Sequence, residues 1–438
     1  MAQLVPAHLS AIDAELWPAV AYCTAPGPLI DARARRAEAQ FAAACERAGI
    51  TLAGNDPDLV VLHDELFVRI AEHGWVGVAE GFMAGEWESD RLVSVLSGLL
   101  ASGYRPKSTA LKMRLSNRRL DTGTELPPEL VSLYAGDGVS NFGGIFASGV
   151  PTTQRVSKPS FVRGAGRRNE PKSHFVDVTE IAAPGPVERA DVEDSQRRTC
   201  TMLLDLVQAH PGLDLLEFPS SGGALAFLAT HAGATVDVLS VDADHLAAVE
   251  EYLTINGAAS MARTHLLSRP IPHREDWEGR YDAIVSIEKF ETMTDHGRLL
   301  CARAFDRMLG PDGFLGLQTV VATPSFSTAA RDAIEVLREY VWPGLRYQGV
   351  DDLHKLFDRE TGLRITAEIH FGAHYRETLR LQRELFEGKL REAAAAGFDP
   401  VFRRLWIFRF ALLEAMFRLG FLDAVQLRLT GRSRGGRR

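Results

Sequence analysis

Three short apolar runs between residues 213 and 287 lead into acids. The run LDLLEF carries Glu217 at its end and opens into Pro219-Ser220-Ser221-Gly222-Gly223; TVDVLSV leads to Asp242; DAIVSI continues into Glu288-Lys289-Phe290-Glu291. A carboxylate at the end of a buried strand can hydrogen-bond a ligand's hydroxyls, and glycines beside it let the main chain approach that ligand closely. Asp242 is placed to hydrogen-bond a ribose. Each acid also has a plainer reading: Glu217 or Asp242 can cap the helix that follows it, and Glu291 can be an exposed acid at a helix start. No G-x-G-x-x-G follows the first run, which disfavours a dinucleotide-dependent oxidoreductase.

Those acids need strands to present them. From Ser195 onward the runs at 235–241, 282–287 and 313–320 alternate with helical stretches, the pattern of a parallel sheet wound with helices on both faces. The chain then adds RITAEIHF, a charged helix from Tyr375 through Ala395, the aromatic-rich helix RRLWIFRFALLEAMFRL and a last strand, DAVQLRL. The aromatics recur at helical spacing and read as core, with part of that face available to an acyl tunnel. Before all this lies a small α+β lobe, where GWVGVAEGFMAGEW predicts a tight turn under Trp75 and Trp87 and a helix follows through Asp90 to Leu100. Residues 151–173 carry six basic residues and one acid, whereas 174–194 carry six acids and one Arg, which reads as a long, partly irregular linker. The expected organisation is a lobe at 1–104, a linker at 105–194, an α/β domain at 195–430 and a basic tail at 431–438.

The 438 residues, 46% of them hydrophobic, can build a large core, and the net charge of -8 argues against nucleic acid as a partner. No apolar run reaches the roughly 18 residues of a membrane span, and the N-terminus has no charged start followed by an apolar block. Cys23, Cys45, Cys200 and Cys301 are scattered without metal spacing and read as free thiols, so no metal is expected and the compartment is cytoplasmic. The arginines of the linker and tail are either solvated or drawn to an anionic membrane surface, at about 1 kcal/mol per residue.

Motifs spread along the chain resemble the cyclopropane-fatty-acid synthase and mycolic-acid methyltransferase family. GVAEGFMAGEWESDRL is similar to its G-x-G-E-S-Y-M-x-G-x-W signature, DAIVSIEKFE to V-S-x-x-M-F-E, YVWPG to Y-I-F-P-G, FGAHYRETLRL to H-Y-x-x-T-L, and EAMFRLGFLDAVQ to F-R-x-G-x-x-D-x-x-Q. The resemblance implies a Rossmann-like class I methyltransferase sheet with S-adenosylmethionine near Glu217, Ser220, Gly222, Gly223 and Asp242. It implies methyl transfer to unsaturated phospholipid acyl chains, in which the carbocation formed on the chain loses a proton to a positioned base, in cyclopropane-forming members a bound bicarbonate. Glu291 falls on the motif glutamate, Tyr375 on the H-Y tyrosine, and Gln318 where cyclopropane-forming relatives have His. Two features depart from the pattern. The family's G-x-G-W-G is Pro219-Ser220-Ser221-Gly222-Gly223 here, and no cysteine between Cys45 and Cys200 answers to its T-Y-S-C-A segment. A second expectation therefore stands beside the first: a non-catalytic relative that binds lipid or pairs with an active methyltransferase; in either case a homo- or hetero-oligomer is compatible with the sequence.

Overall fold

The computed structural model describes residues 3–108, 125–167 and 170–432; most of the basic tail, residues 433–438, lies outside them. The chain forms two compact units. One comprises Met1–Arg118, Ser325–Pro343 and Arg383–Phe421, the other Arg119–Pro324, Gly344–Gln382 and Leu422–Arg438. The boundaries expected at 104, 194 and 430 assume continuous segments, whereas each unit is assembled from three.

The second unit is built on a nine-stranded sheet. Its strands are β1 (Pro151–Pro159), β2 (Ser173–Ile181), β3 (Asp214–Glu217), β4 (Thr235–Ser240), β5 (Ala262–Leu266), β6 (Tyr281–Ile287), β7 (Leu309–Ala322), β8 (Leu363–His370) and β9 (Leu422–Gly431). They lie in the order β1-β2-β8-β9-β7-β6-β3-β4-β5. From β5 across to β7 every neighbour is parallel, and β9 runs antiparallel between β7 and β8. A parallel strand covered on both faces must be apolar at consecutive positions, as Ala283 to Val285 are. Alternate residues serve opposite faces. Leu216 and Ile284 pack with Phe305, Met308 and Phe357, while Leu215, Ala283 and Val285 pack with Leu203, Leu225 and Val249. Helices thus cover both faces, as the alternating runs predict.

The linker, expected to be only partly ordered, contains the strands β1 and β2, which pair as an antiparallel hairpin at the sheet's edge, with Arg155 opposite Asp177 and Val156 opposite Val176. The reason it is missed is physical. A solvated edge strand needs no apolar alternation, and β1 is exposed along most of its length. Its opposed charge blocks face each other across the ladder.

The first unit contains the helices Pro28–Ala48, Glu65–His73, Trp75–Ala84, Leu92–Ala101 and Pro400–Arg418. The tight turn expected over 74–87 is mostly helix, and the turn shrinks to Gly85, whose φ of 76° suits a residue without Cβ. The expected aromatic roof is present: the Trp75 indole donates to the Tyr104 carbonyl at 3.0 Å and that of Trp87 to Val78 at 2.8 Å. Trp406, Phe408 and Phe410 of the last helix are buried core residues.

Gly77 lets the helices Glu65–His73 and Trp75–Ala84 touch, because a Cβ there would lie 2.1 Å from the Arg69 carbonyl oxygen. Gly→Ala in a helix ordinarily gains up to about 1 kcal/mol. Here the backbone overlap dominates, and Gly77→Ala is expected to destabilise the protein by about 1–3 kcal/mol or more. Thermal unfolding should show a lower Tm; a Tm unchanged or raised would contradict this packing.

Candidate active site

At the carboxyl end of β6 the chain turns through Glu288, whose φ of 51° is left-handed. A glutamate held there costs of order 1 kcal/mol and persists only when its surroundings fix it. They do so through its carboxylate. One oxygen accepts the Gly143 N–H at 3.0 Å and the Gln318 amide at 2.8 Å; the other accepts the Tyr375 hydroxyl at 2.7 Å. A group that only accepts in this way matches an ionised carboxylate.

Each donor is itself oriented. The Gln318 carbonyl accepts from the Gln426 amide at 2.9 Å, which sets the amide's direction. Burial, followed by the nearby Glu288, holds the Tyr375 hydroxyl well above its ordinary pKa, so it remains a donor. At Gly143 a Cβ would sit 2.2 Å from the Tyr375 ring, so only glycine brings this main chain so near. His374 secures the same segment: its Nδ1 accepts the Phe146 N–H at 3.0 Å and its Nε2 bonds the Ala182 carbonyl at 2.8 Å. The structure thus gives His374 the structural role of a positioning group. Although no cysteine lies between Cys45 and Cys200, main chain from the expected linker does reach Glu288, through the Gly143 N–H.

Glu291, the acid singled out by motif position, is buried a turn further on. Its oxygens accept the Thr319 hydroxyl at 2.8 Å and the Val320 N–H at 3.1 Å. Burial, then the charge of Glu288, pushes its pKa up to about 7. The structure brings Gln318 and Tyr375 together around Glu288, with Glu291 bonded to β7 beside them. Sequence reasoning quoted Glu288 but did not select it, and it passed over Gly143. The available signals were the position of Glu288 immediately after a buried strand and the adjacent pair Gly143-Gly144.

The second cluster lies at the ends of β3 and β4. Glu217 is fully buried, and one of its oxygens accepts both the Ser221 N–H at 2.8 Å and the Ser221 hydroxyl at 2.7 Å. Its other oxygen has no hydrogen-bond partner, and burial raises the pKa to about 7. It does not cap the following helix. Asp242 does cap its helix, accepting the His245 N–H at 2.9 Å. The Ser220 hydroxyl meets His245 Nε2 at 2.9 Å. Gly222, at φ 137°, faces Ser140, and Gly223 faces the Tyr252 ring, so both are packed closely against their neighbours. An ion pair joins Lys289 and Glu125 near Pro219, and the cavity between them holds about 10 Å³, room for one water.

For S-adenosylmethionine the fit is read from the orphaned oxygen. Glu217 offers a buried, unused acceptor to an amino-acid ammonium, and Asp242 keeps a second oxygen for ribose hydroxyls. Pro219 and Ser221 stand where glycines would give the closest approach. Among the described residues, His8, His63 and Glu65 also bring one donor atom each within 4.8 Å of one another, a group the cysteine-based reading did not anticipate. The four cysteines are free and buried.

The helix carrying Tyr375 is anchored by a charged cluster. His370 Nδ1 meets Asp423 at 2.7 Å, and its Nε2 meets Glu368 at 3.3 Å. Although burial opposes it, these carboxylates raise the His370 pKa from 6.5 to about 9. Burial also opposes the shift at Glu368, but its bonds to His354 and His370 lower it from 4.5 to about 2. The His370 contribution to stability is therefore complete below pH 6.5 and lost as pH rises through 9. That of Glu368 is complete above pH 4.5 and lost as pH falls through 2. Melting curves should show the cluster's largest contribution between these limits, and Asp423→Asn should flatten the decline from pH 6.5 to 9; an unaltered slope would assign the decline elsewhere.

Counted from β3, the core strands stand in the order 3-2-1-4-5-7-6, with acids at the carboxyl ends of the first two and at the loop after the fourth. That sheet and that rim define a class I S-adenosylmethionine-dependent methyltransferase fold. Residues 185–427 match the family model described as mycolic acid cyclopropane synthetase, and the chain belongs to this family. It is 28% identical to the tuberculostearic acid methyltransferase UfaA1 of Mycobacterium tuberculosis over 95% of this chain and 96% of that one. With the cyclopropane-fatty-acyl-phospholipid synthase of Escherichia coli K12 it shares 23% identity over 85% of this chain and 87% of that one. Among solved structures, coclaurine N-methyltransferase bound to N-methylheliamine and SAH superposes with a TM-score of 0.55 at 13% identity, covering 81% of this chain and 99% of that one. The likeness to the last is one of fold. Among the described residues no helix is long and apolar enough to cross a membrane.

Proposed function

We propose that this protein methylates the double bond of an unsaturated phospholipid acyl chain, with the Glu288 carboxylate as the built-in base. The observation that carries the reading is the trio of donors, from Gly143, Gln318 and Tyr375, that fixes both Glu288 oxygens. Glu217 and Asp242 would hold S-adenosylmethionine by its ammonium and ribose. When bound, that cofactor supplies an electrophilic methyl group. An alkene is a weak nucleophile, so the pocket must fix its position, and the carbocation left on the acyl chain is a very strong acid. A carboxylate weakened by three hydrogen bonds is still basic enough to take its proton, which leaves the chain's cationic carbon with the C–H bonding pair. Bicarbonate is then not required. Tyr375 and Gln318 keep the carboxylate aimed, and Glu291, whose pKa lies near 7, limits the charge gathered beside it.

The reading of a non-catalytic lipid-binding relative draws on one observation: the Ser221 N–H is already committed to Glu217. Calorimetric titration with S-adenosylmethionine, paired with mass-spectrometric detection of methylated acyl chains from vesicles of unsaturated phospholipid, separates the two. Micromolar binding with product is the expected result. Absence of binding heat and of product favours the relative without turnover.

A further inference from the structure

The first unit carries a groove of about 1000 Å³ beside the helix Pro400–Arg418, large enough for a sizeable ligand. Part of its charge is internally spent. Arg383 is held by Glu414 at 3.1 Å and Glu387 at 3.2 Å, and Arg91 by Asp58 at 2.8 Å and by Asp56. Three guanidiniums are not spent. Arg403 donates to the Leu390 carbonyl at 3.4 Å, Arg404 to that of Phe82 at 3.0 Å, and Arg418 to the Ser94 hydroxyl at 3.4 Å; none meets a carboxylate among the described residues. Glu88 and Asp90 line the same groove, are exposed, and have no ion pair among the described residues. Phe82, Leu92 and Ile407 supply an apolar floor.

Surplus guanidiniums suit a phosphate, which their fork of donors matches in shape and charge. Two acids on the same lining would repel a bare anion but would attract an ammonium. We propose that the groove binds the headgroup of an amine-bearing glycerophospholipid. The phosphodiester lies on Arg403, Arg404 and Arg418, the ammonium lies on Glu88 and Asp90, and the glycerol end lies on the apolar floor. This deepens the functional reading by naming the lipid class, and rests on it only for the fate of the acyl chain.

The test is calorimetry of the full chain with dihexanoyl phosphatidylethanolamine below its micellar concentration, beside dihexanoyl phosphatidylglycerol and inorganic phosphate. Arg418→Glu, an exposed change that spares the fold, should weaken the ethanolamine lipid about tenfold, and Arg403→Ala should weaken it further. Glu88→Gln with Asp90→Asn should weaken that lipid and leave the glycerol lipid unchanged. Parent-like affinity in both arginine variants overturns the proposal, as does absence of binding to the parent. Displacement of the lipid by an equal concentration of inorganic phosphate also overturns it, since the site would then be a simple anion site. Binding is read without turnover, so failure of methyl transfer leaves this site standing, and failure of headgroup binding leaves the Glu288 assignment standing.

Discussion

Glu288→Gln is expected to lower methyl transfer by about a thousandfold while leaving S-adenosylmethionine affinity close to that of the parent, because a positioned base contributes about 10²–10⁴ in rate. Glutamine has nearly the same volume, so the pocket's shape survives. Its amide has one acceptor oxygen for three donors, and its NH2 would oppose the Tyr375 hydroxyl or the Gln318 amide. The rate should therefore fall in kcat more than in KM. Removing the side chain altogether gives a sharper version. Glu288→Gly relieves the left-handed backbone and opens a slot between the same three donors, so added bicarbonate or formate should restore part of the lost rate to this variant and none to the parent. Methyl incorporation near the parental rate in Glu288→Gln would remove Glu288 from the chemistry.

The second large effect concerns the cofactor loop. Pro219→Gly combined with Ser221→Gly should tighten S-adenosylmethionine binding by about tenfold, equivalent to ~1.4 kcal/mol. Pro219 has no N–H and a fixed φ. The Ser221 hydroxyl and N–H both occupy one Glu217 oxygen. Two glycines restore a donor and remove the competing hydroxyl, at a cost of about 1 kcal/mol each in chain freedom. The closer approach must outweigh that cost for the gain to appear, so calorimetry of the double variant is decisive: affinity equal to or below the parent's would refute this account of the loop.

The sheet is legible in the sequence because its strands are buried on both faces and its helices are long enough to show their period. The acids at the strand ends are legible for the same reason: Glu217 and Asp242 close apolar runs; Tyr375 falls within a motif, and Gln318 sits in an apolar run where relatives carry His. The choice between Glu288 and Glu291 is not. Two acids three residues apart after a strand look alike until the backbone conformation at Glu288 turns one toward Tyr375 and leaves the other on Thr319 and Val320. Gly143 is harder still, since its partner Glu288 lies 145 residues away and nothing in the local pattern marks a main-chain N–H as part of a site. Asp242 illustrates a limit of another kind. Its cap is real, and a capping oxygen leaves the other oxygen available, so the plain and the functional readings were never exclusive.

The edge hairpin has a consequence for association between molecules. A bare strand at the margin of a sheet invites a neighbour to add to it, and long fibres grow by that addition. Here β1 begins and ends with proline and bears Arg155 and Lys158 along its length. A second copy meeting it head-on would find missing donors at both ends. Addition of a further strand from this side is therefore disfavoured by the two prolines.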